Sequence, residues 1–123
     1  MATRSEAGEG RSVPLRISFV GLKSHGWVAL AHNNLAPLLV LYQEHLEQRV
    51  VFRKARRYPE IERVDVTTTD SDNLEIAYAG SAFTFACKLK SQHDLAGVLE
   101  FFASKGVSLG DGAKRRLSAA QRP

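Results

Sequence analysis

The sequence has few of the residues that cross-link a chain, and it has no long apolar stretch. Its 123 residues include a single cysteine, Cys87, which excludes an internal disulfide. The longest wholly apolar run, residues 37–42, is far shorter than the roughly 18 residues of a membrane-spanning helix. Residues 1–14 carry charges of both signs and lack the apolar centre of a secretory signal. These absences predict a soluble, cytoplasmic protein.

Recognisable catalytic and metal-binding motifs are also missing from the sequence. No Ser, Cys or Thr lies in a known nucleophile setting, and no glycine-rich phosphate loop is present. Cys87 falls on the apolar side of a predicted strand, which favours a buried and inert thiol. The four histidines, His25, His32, His45 and His93, do not have the spacing of zinc ligands. The sequence therefore predicts a protein that is not an enzyme and has no cofactor and no metal.

Positive charge is in modest excess and is unevenly distributed. The chain has 17 Lys and Arg against 13 Asp and Glu, which gives a net charge of +4. Residues 49–57 are strongly basic, residues 60–75 are mainly acidic, and residues 111–123 are basic again. Because most of the excess lies in the last segment, the rest of the chain is nearly neutral. This distribution makes nucleic-acid binding unlikely as the function.

Strand patterns cover most of residues 15–89. Residues 38–42 are apolar on both sides, and the segment that follows alternates apolar Leu46, Val50 and Phe52 with charged residues. The step from Ile61 to Val64 breaks the alternation and predicts a bulge or a single turn before the strand resumes. Residues 74–78 and 83–89 alternate again on either side of a short turn and predict a hairpin. The sequence thus predicts an antiparallel sheet.

Two segments have apolar residues at helical spacing. Between residues 24 and 35 the apolar side chains, Trp27 among them, lie near one helical face and predict a short helix near the N-terminus. Residues 94–105 carry an apolar stripe, with Ser91 and Asp94 at the spacing of a capping box and Gly106 at the C-terminal cap. The stripe consists of Leu95, Val98, Leu99 and Phe102. The fold class predicted is α+β, mainly β, capped by a C-terminal helix.

The chain divides into three predicted parts. Residues 1–13 are small and polar without periodicity, which is typical of a disordered segment. Residues 14–109 contain all the periodic segments and predict a single domain. Residues 110–123 predict a basic, flexible tail.

The basic run predicts the one candidate binding surface. Arg53, Lys54, Arg56 and Arg57 are placed at a hairpin tip, where several donors can converge on an anion. Such a cluster can bind an anionic lipid surface or a phosphate ligand, but the charge pattern favours the simpler interpretation of a charged tip that only keeps the protein soluble. An antiparallel sheet also leaves an edge strand, which a protein partner or a second copy can extend. Binding of a protein partner or self-association is the first prediction, and binding of an anionic membrane surface is the second.

From residue 38 onward the sequence has the pattern strand, turn, strand, basic hairpin, hairpin and closing helix. The segments that carry it are residues 38–66, LLVLYQEHLEQRVVFRKARRYPEIERVDV, followed by NLEIAY, FTFACKL and DLAGVLEFFASKGV. This pattern resembles the small bacterial pleckstrin-homology-like (PH-like) domains. The resemblance implies a bent antiparallel sheet or partial barrel, with one end closed by the helix at residues 94–105. It also implies binding of lipid, protein or a second copy, without catalysis, and it leaves Arg53–Arg57 as the candidate lipid contact.

Overall fold

Alternation of apolar and polar side chains produces strands through most of the chain. The computed structural model describes residues 10–22, 29–68 and 72–121, and these ranges contain nine strands and two helices. The strands are β1 (Arg11–Ser12), β2 (Leu15–Leu22), β3 (Ala29–Asn33), β4 (Leu38–Leu41), β5 (His45–Arg49), β6 (Arg53–Arg57), β7 (Ile61–Thr68), β8 (Asp72–Tyr78) and β9 (Phe83–Leu89). The helices are α1 (His93–Ser104) and α2 (Asp111–Gln121). A short 3-10 turn, Tyr58–Glu60, joins β6 to β7.

The strands form two sheets in which all paired neighbours are antiparallel. One sheet has the order β1-β4-β5-β6, and the other has the order β3-β2-β9-β8-β7. Within the described ranges neither sheet closes on itself. The predicted mainly β, α+β fold with antiparallel pairing and a C-terminal helix is therefore confirmed, and its strands are divided between two sheets.

A single apolar core joins the inner faces of both sheets to α1. Leu46 of the first sheet, Ile76 of the second sheet and Phe102 of α1 are all completely buried in the same cluster. The remaining residues of the predicted helical stripe, Leu95, Val98 and Leu99, are also completely buried. The helix thus contributes the face that its periodicity predicts, and burial of this face holds it on the sheets.

The predictions from local sequence patterns are confirmed for β7, β8, β9 and α1. Strands β8 and β9 pair as the predicted hairpin, and the register of β7 shifts between Ile61 and Arg63, where the bulge is predicted. Gly106, just after α1, has a φ of +79°, a conformation that residues with a side chain rarely adopt. At the other end of the helix the Ser91 hydroxyl accepts a hydrogen bond from the His93 N–H at 3.3 Å, whereas Gln92 occupies the cap position without a side-chain bond. The predicted capping box is therefore only partly formed.

The helix predicted over residues 24–35 is wrong where the structure describes it. Residues 29–33 form β3, which pairs with β2 through partners such as Val20 with Ala31 and Ser18 with Asn33. Residues 24–28 lie outside the described residues. Gly26 and the two asparagines are weak helix formers, so the hydrogen bonds that β2 offers outweigh the helical spacing of the apolar residues.

The position predicted for the basic hairpin tip is also wrong. The basic residues form strand β6, which pairs along its whole length with β5, from Arg49 opposite Arg53 to His45 opposite Arg57. The tip of this hairpin is the apolar segment Val50–Phe52, which we call the apolar tip. The cations therefore flank the tip on a strand, and they do not crowd a loop.

The predicted flexible tail is a helix, and the predicted disordered N-terminus ends in a strand. Helix α2 has Ala113 completely buried, and Leu117 packs against the core. Near the other end of the chain, β1 pairs with β4, and Val13 is buried with its N–H bonded to the Leu39 carbonyl at 2.9 Å. Both segments find partners far away in the sequence, which composition does not reveal. Residues 1–9 and 122–123 lie outside the described residues.

Candidate functional site

Strand β6 places the four predicted site residues on two opposite faces of its sheet. Side chains alternate along a strand, and residues directly opposite each other in an antiparallel pair share a face. Arg56 lies opposite the completely buried Leu46, so Arg56 and Lys54 share the sheet face that turns toward the core, although Lys54 itself is exposed. Arg53 and Arg57 face outward. The predicted site is therefore not one cluster of four cations.

On the outer face Arg53 is already paired. Its Nε donates to the Glu47 Oε1 at 2.7 Å, and a second guanidinium nitrogen contacts the same carboxylate. The hydrogen bond and the charge of Glu47 raise the pKa of Arg53 above its ordinary value. Among the described residues, Arg57 has no ion-pair partner. Arg57 is therefore the cation on this face that is most available to an anion.

On the inner face Arg56 is held in place but incompletely bonded. Its guanidinium lies 4.7 Å from the centre of the Tyr78 ring, which is a cation–π contact. One terminal nitrogen lies 3.6 Å from the Glu60 carboxylate, too far for a good hydrogen bond. The Arg56 Nε is buried and has no hydrogen-bond partner among the described residues. Lys54 is exposed and has no ion-pair partner in the same ranges.

The apolar tip exposes large hydrophobic side chains between these cations. Val51 is 61% and Phe52 is 74% exposed to solvent. The end of β3 and the loop that follows it support the tip, because the Asn33 side chain donates to the Val50 carbonyl at 2.7 Å and the Arg49 Nε donates to the Ala36 carbonyl at 2.8 Å. The alternation along residues 46–53 predicts that Phe52 lies on the apolar side of a half-buried strand, whereas the structure exposes it at the hairpin tip. The run of three apolar residues between Arg49 and Arg53 is the signal that could have revealed it.

A cavity of about 170 Å³, which we call the tip cavity, opens behind the apolar tip. Within it Tyr78 donates its hydroxyl proton to the Gln48 Oε1. Burial raises the pKa of Tyr78, so its hydroxyl remains protonated at physiological pH. The walls are mainly apolar; the cationic groups come from β6, and polar groups come from both sheets. The lining residues are Val20, Gln48, Val50, Val51, Phe52, Lys54, Arg56, Tyr78, Ser81, Phe83, Thr84 and Phe85.

The other candidate residues do not come together. Cys87 is completely buried between the sheets, and burial raises the pKa of its thiol, as expected for an unreactive group. In the ranges that the structure covers, no group of three or more His, Cys, Asp or Glu side chains could hold a metal ion. His25 lies outside those ranges.

No protein-family model matches this sequence, and no curated protein is significantly similar to it. Neither described helix is long and apolar enough to cross a membrane.

Proposed function

We propose that this protein is a cytoplasmic, non-catalytic interaction module that docks reversibly on anionic membrane surfaces. The observation that carries the proposal is the apolar tip, where Val51 and Phe52 stand exposed next to the basic strand β6. An exposed apolar loop flanked by cations is suited to the boundary between water and a negatively charged bilayer. The resemblance to PH-like domains, some of which bind lipids through a basic hairpin, supports the same role.

Two forces of similar size would hold the protein at the surface. Moving a Val or Phe side chain out of water contributes about 1.5–3 kcal/mol when burial is complete. Each Lys or Arg near an anionic leaflet contributes about 1 kcal/mol, and Lys54 and Arg57 have no internal partner in the described ranges. The sum corresponds to reversible attachment that weakens as salt screens the charges.

The test is co-sedimentation with vesicles of phosphatidylcholine alone or mixed with about 30% phosphatidylglycerol. We expect the wild type to sediment with the mixed vesicles only, and less at high salt. The double variant Val51→Ser, Phe52→Ser should lower the partition coefficient at least tenfold, because about 1.4 kcal/mol is a factor of ten. The variant Lys54→Gln, Arg57→Gln should lower it and flatten its salt dependence.

The matched control for charge is the double variant Lys114→Gln, Arg115→Gln on the exposed side of α2. It removes the same number of charges away from the tip and should bind nearly as well as the wild type. Equal loss in both charge variants would show attraction by net charge alone. Unchanged binding by the tip variant would overturn the proposal.

A protein partner is the second candidate, and the open edge of β6 favours it. Among the strands that the structure describes, β6 is the last of its sheet, so its outer edge can pair with an extended segment. Two copies of β6 would place Arg and Lys side chains opposite one another, which is unfavourable. The partner that fits this edge is therefore an acidic segment, and not a second copy. Binding of a poly-glutamate peptide to the wild type but not to a variant with Pro in place of Ala55 would support this candidate.

A further inference from the structure

The tip cavity combines apolar walls with two basic side chains. Its apolar walls come from both sheets, including Val50 of the hairpin and Val20 and Phe85 of β2 and β9. Its charged side consists of Lys54 and Arg56. Such a combination recognises a ligand that has an apolar body and one anionic group.

Arg56 gives the strongest indication of an anion. Buried polar groups in folded proteins almost always have a hydrogen-bond partner, and each exception calls for an explanation. The Arg56 Nε is buried, and no residue in the described part of the chain forms a hydrogen bond with it. The Tyr78 ring and the Glu60 carboxylate hold the guanidinium in place. A planar carboxylate can accept hydrogen bonds from two nitrogens of the same guanidinium. The ammonium of Lys54, which also lines the cavity, would add a second donor.

The size of the cavity limits the ligand. A cavity of about 150 Å³ is known to admit benzene, whereas drug-sized ligands need about 300 Å³ or more. At about 170 Å³ the tip cavity fits an apolar group of similar size to a benzene ring. Gln48 accepts from Tyr78 through its oxygen, which leaves its amide N–H groups as further donors at the wall.

We propose that the tip cavity binds a small apolar monocarboxylate, with the carboxylate at Lys54 and Arg56 and the apolar body between the sheets. This goes beyond membrane docking, because the ligand is a free small molecule and its binding needs no bilayer. The same chemistry is found in aromatic acids and in aliphatic acids of about six carbons. Benzoate and hexanoate represent these two sources.

The test is a titration of the isotope-labelled protein followed by the amide signals in two-dimensional NMR spectra. We expect saturable shifts with benzoate or hexanoate, centred on Val20, Tyr78 and Phe85, and the tighter of the two acids identifies the source. Benzyl alcohol and benzylammonium have the same ring without the negative charge, and they should bind at least tenfold more weakly. Equal shifts with all three ring compounds, or no saturable shift with either acid, would overturn the proposal.

Three variants locate the ligand. Lys54→Gln should weaken benzoate binding about tenfold, whereas Arg57→Gln, on the opposite face of the same strand, should change it less than twofold. Val20→Phe fills the cavity and should abolish binding of benzoate. The spectrum of each free variant shows whether it is folded. A folded Val20→Phe protein that still binds benzoate, or equal effects of the Lys54 and Arg57 variants, would place the ligand elsewhere.

Discussion

Asp65 shows how a single carboxylate can fix two elements that are distant in sequence. Its Oδ1 accepts hydrogen bonds from the Val66 N–H at 2.8 Å and from the Ala113 N–H at 3.0 Å. The Ala113 N–H belongs to the first turn of α2, where backbone donors have no partner within the helix. Asp65 therefore caps α2 from strand β7. The approach is so close that a Cβ at Gly110 would overlap the Asp65 carboxylate, and a Cβ at Gly112 would overlap the Val66 carbonyl oxygen.

The substitution Gly112→Ala should destabilise the protein by about 1–3 kcal/mol, because backbone must move to admit the methyl group. Gly97→Ala in α1 is the control. Its Cβ would lie 3.1 Å from the end of the flexible Arg11 side chain, and alanine favours a helix interior over glycine by about 0.5–1 kcal/mol. Urea unfolding followed by circular dichroism measures both. A Gly112→Ala protein as stable as the wild type would contradict the close packing of α2 on β7.

At the scale of elements, the hydrogen bonds of one arginine join α2 to the rest of the fold. Arg116 donates through Nε to the Asp72 carboxylate of β8 at 3.1 Å and through a terminal nitrogen to the Gln92 carbonyl before α1 at 2.9 Å. The side chain is about three-quarters buried, so solvent screens these bonds less than at the surface. One residue thus links α2 to a strand and to the start of the other helix.

Arg116→Ala should cost about 1–3 kcal/mol of stability, the usual range when charged groups lose buried hydrogen-bond partners. The neighbouring Arg115 is exposed, and Arg115→Ala should stay within about 0.5 kcal/mol of the wild type. The two free energies of unfolding, measured in parallel by urea titration, give the comparison. Equal effects of the two substitutions would mean that the Arg116 hydrogen bonds contribute no net stability.

An element can be predicted from the sequence when the contacts that determine it join residues close together in the chain. The β8–β9 hairpin and the stripe of α1 are readable because neighbouring residues determine them. Strand β3 cannot be predicted from its own residues, because their apolar positions have helical spacing and only the pairing with β2 makes the segment a strand. Helix α2 is missed because its cap, Asp65, precedes it by more than forty residues. The candidate site can be predicted in part. The sequence identifies the basic residues, but their division between the two faces of the sheet follows from the pairing of β6 with β5.

At the scale of the whole molecule, both sheets and α1 contribute to one apolar core, which buries Cys87 completely. Cys87 lies in the middle of the five-stranded sheet, opposite Leu74 on one side and Ser18 on the other, and all three residues are completely buried. The Ser18 hydroxyl donates to the Arg49 carbonyl at 2.6 Å, which ties the two sheets together at this level. Exposure of the thiol therefore requires the sheets to separate.

We expect Cys87 to react with a thiol reagent such as DTNB only through global unfolding. Burial raises the pKa of the thiol, so the reactive thiolate is also scarce in the native state. The opening free energy obtained from labelling rates across a range of urea concentrations should equal the unfolding free energy from circular dichroism. A much lower value from labelling would reveal a partial opening between the sheets.

The contact between β7 and the segment before α2 has a consequence for synthesis. The Val64 N–H donates to the Ser108 carbonyl at 2.9 Å and the Val64 carbonyl accepts from the Gly110 N–H at 2.8 Å, so this later segment pairs with the outer edge of β7 at its middle. Translation adds roughly 5–20 residues per second. The outer edge of β7 therefore stays unpaired for a time on the order of seconds after β7 has emerged from the ribosome. During that interval the nascent chain offers an unpaired strand to its neighbours on the same messenger RNA. Slow translation of residues 69–110 should therefore increase co-translational aggregation.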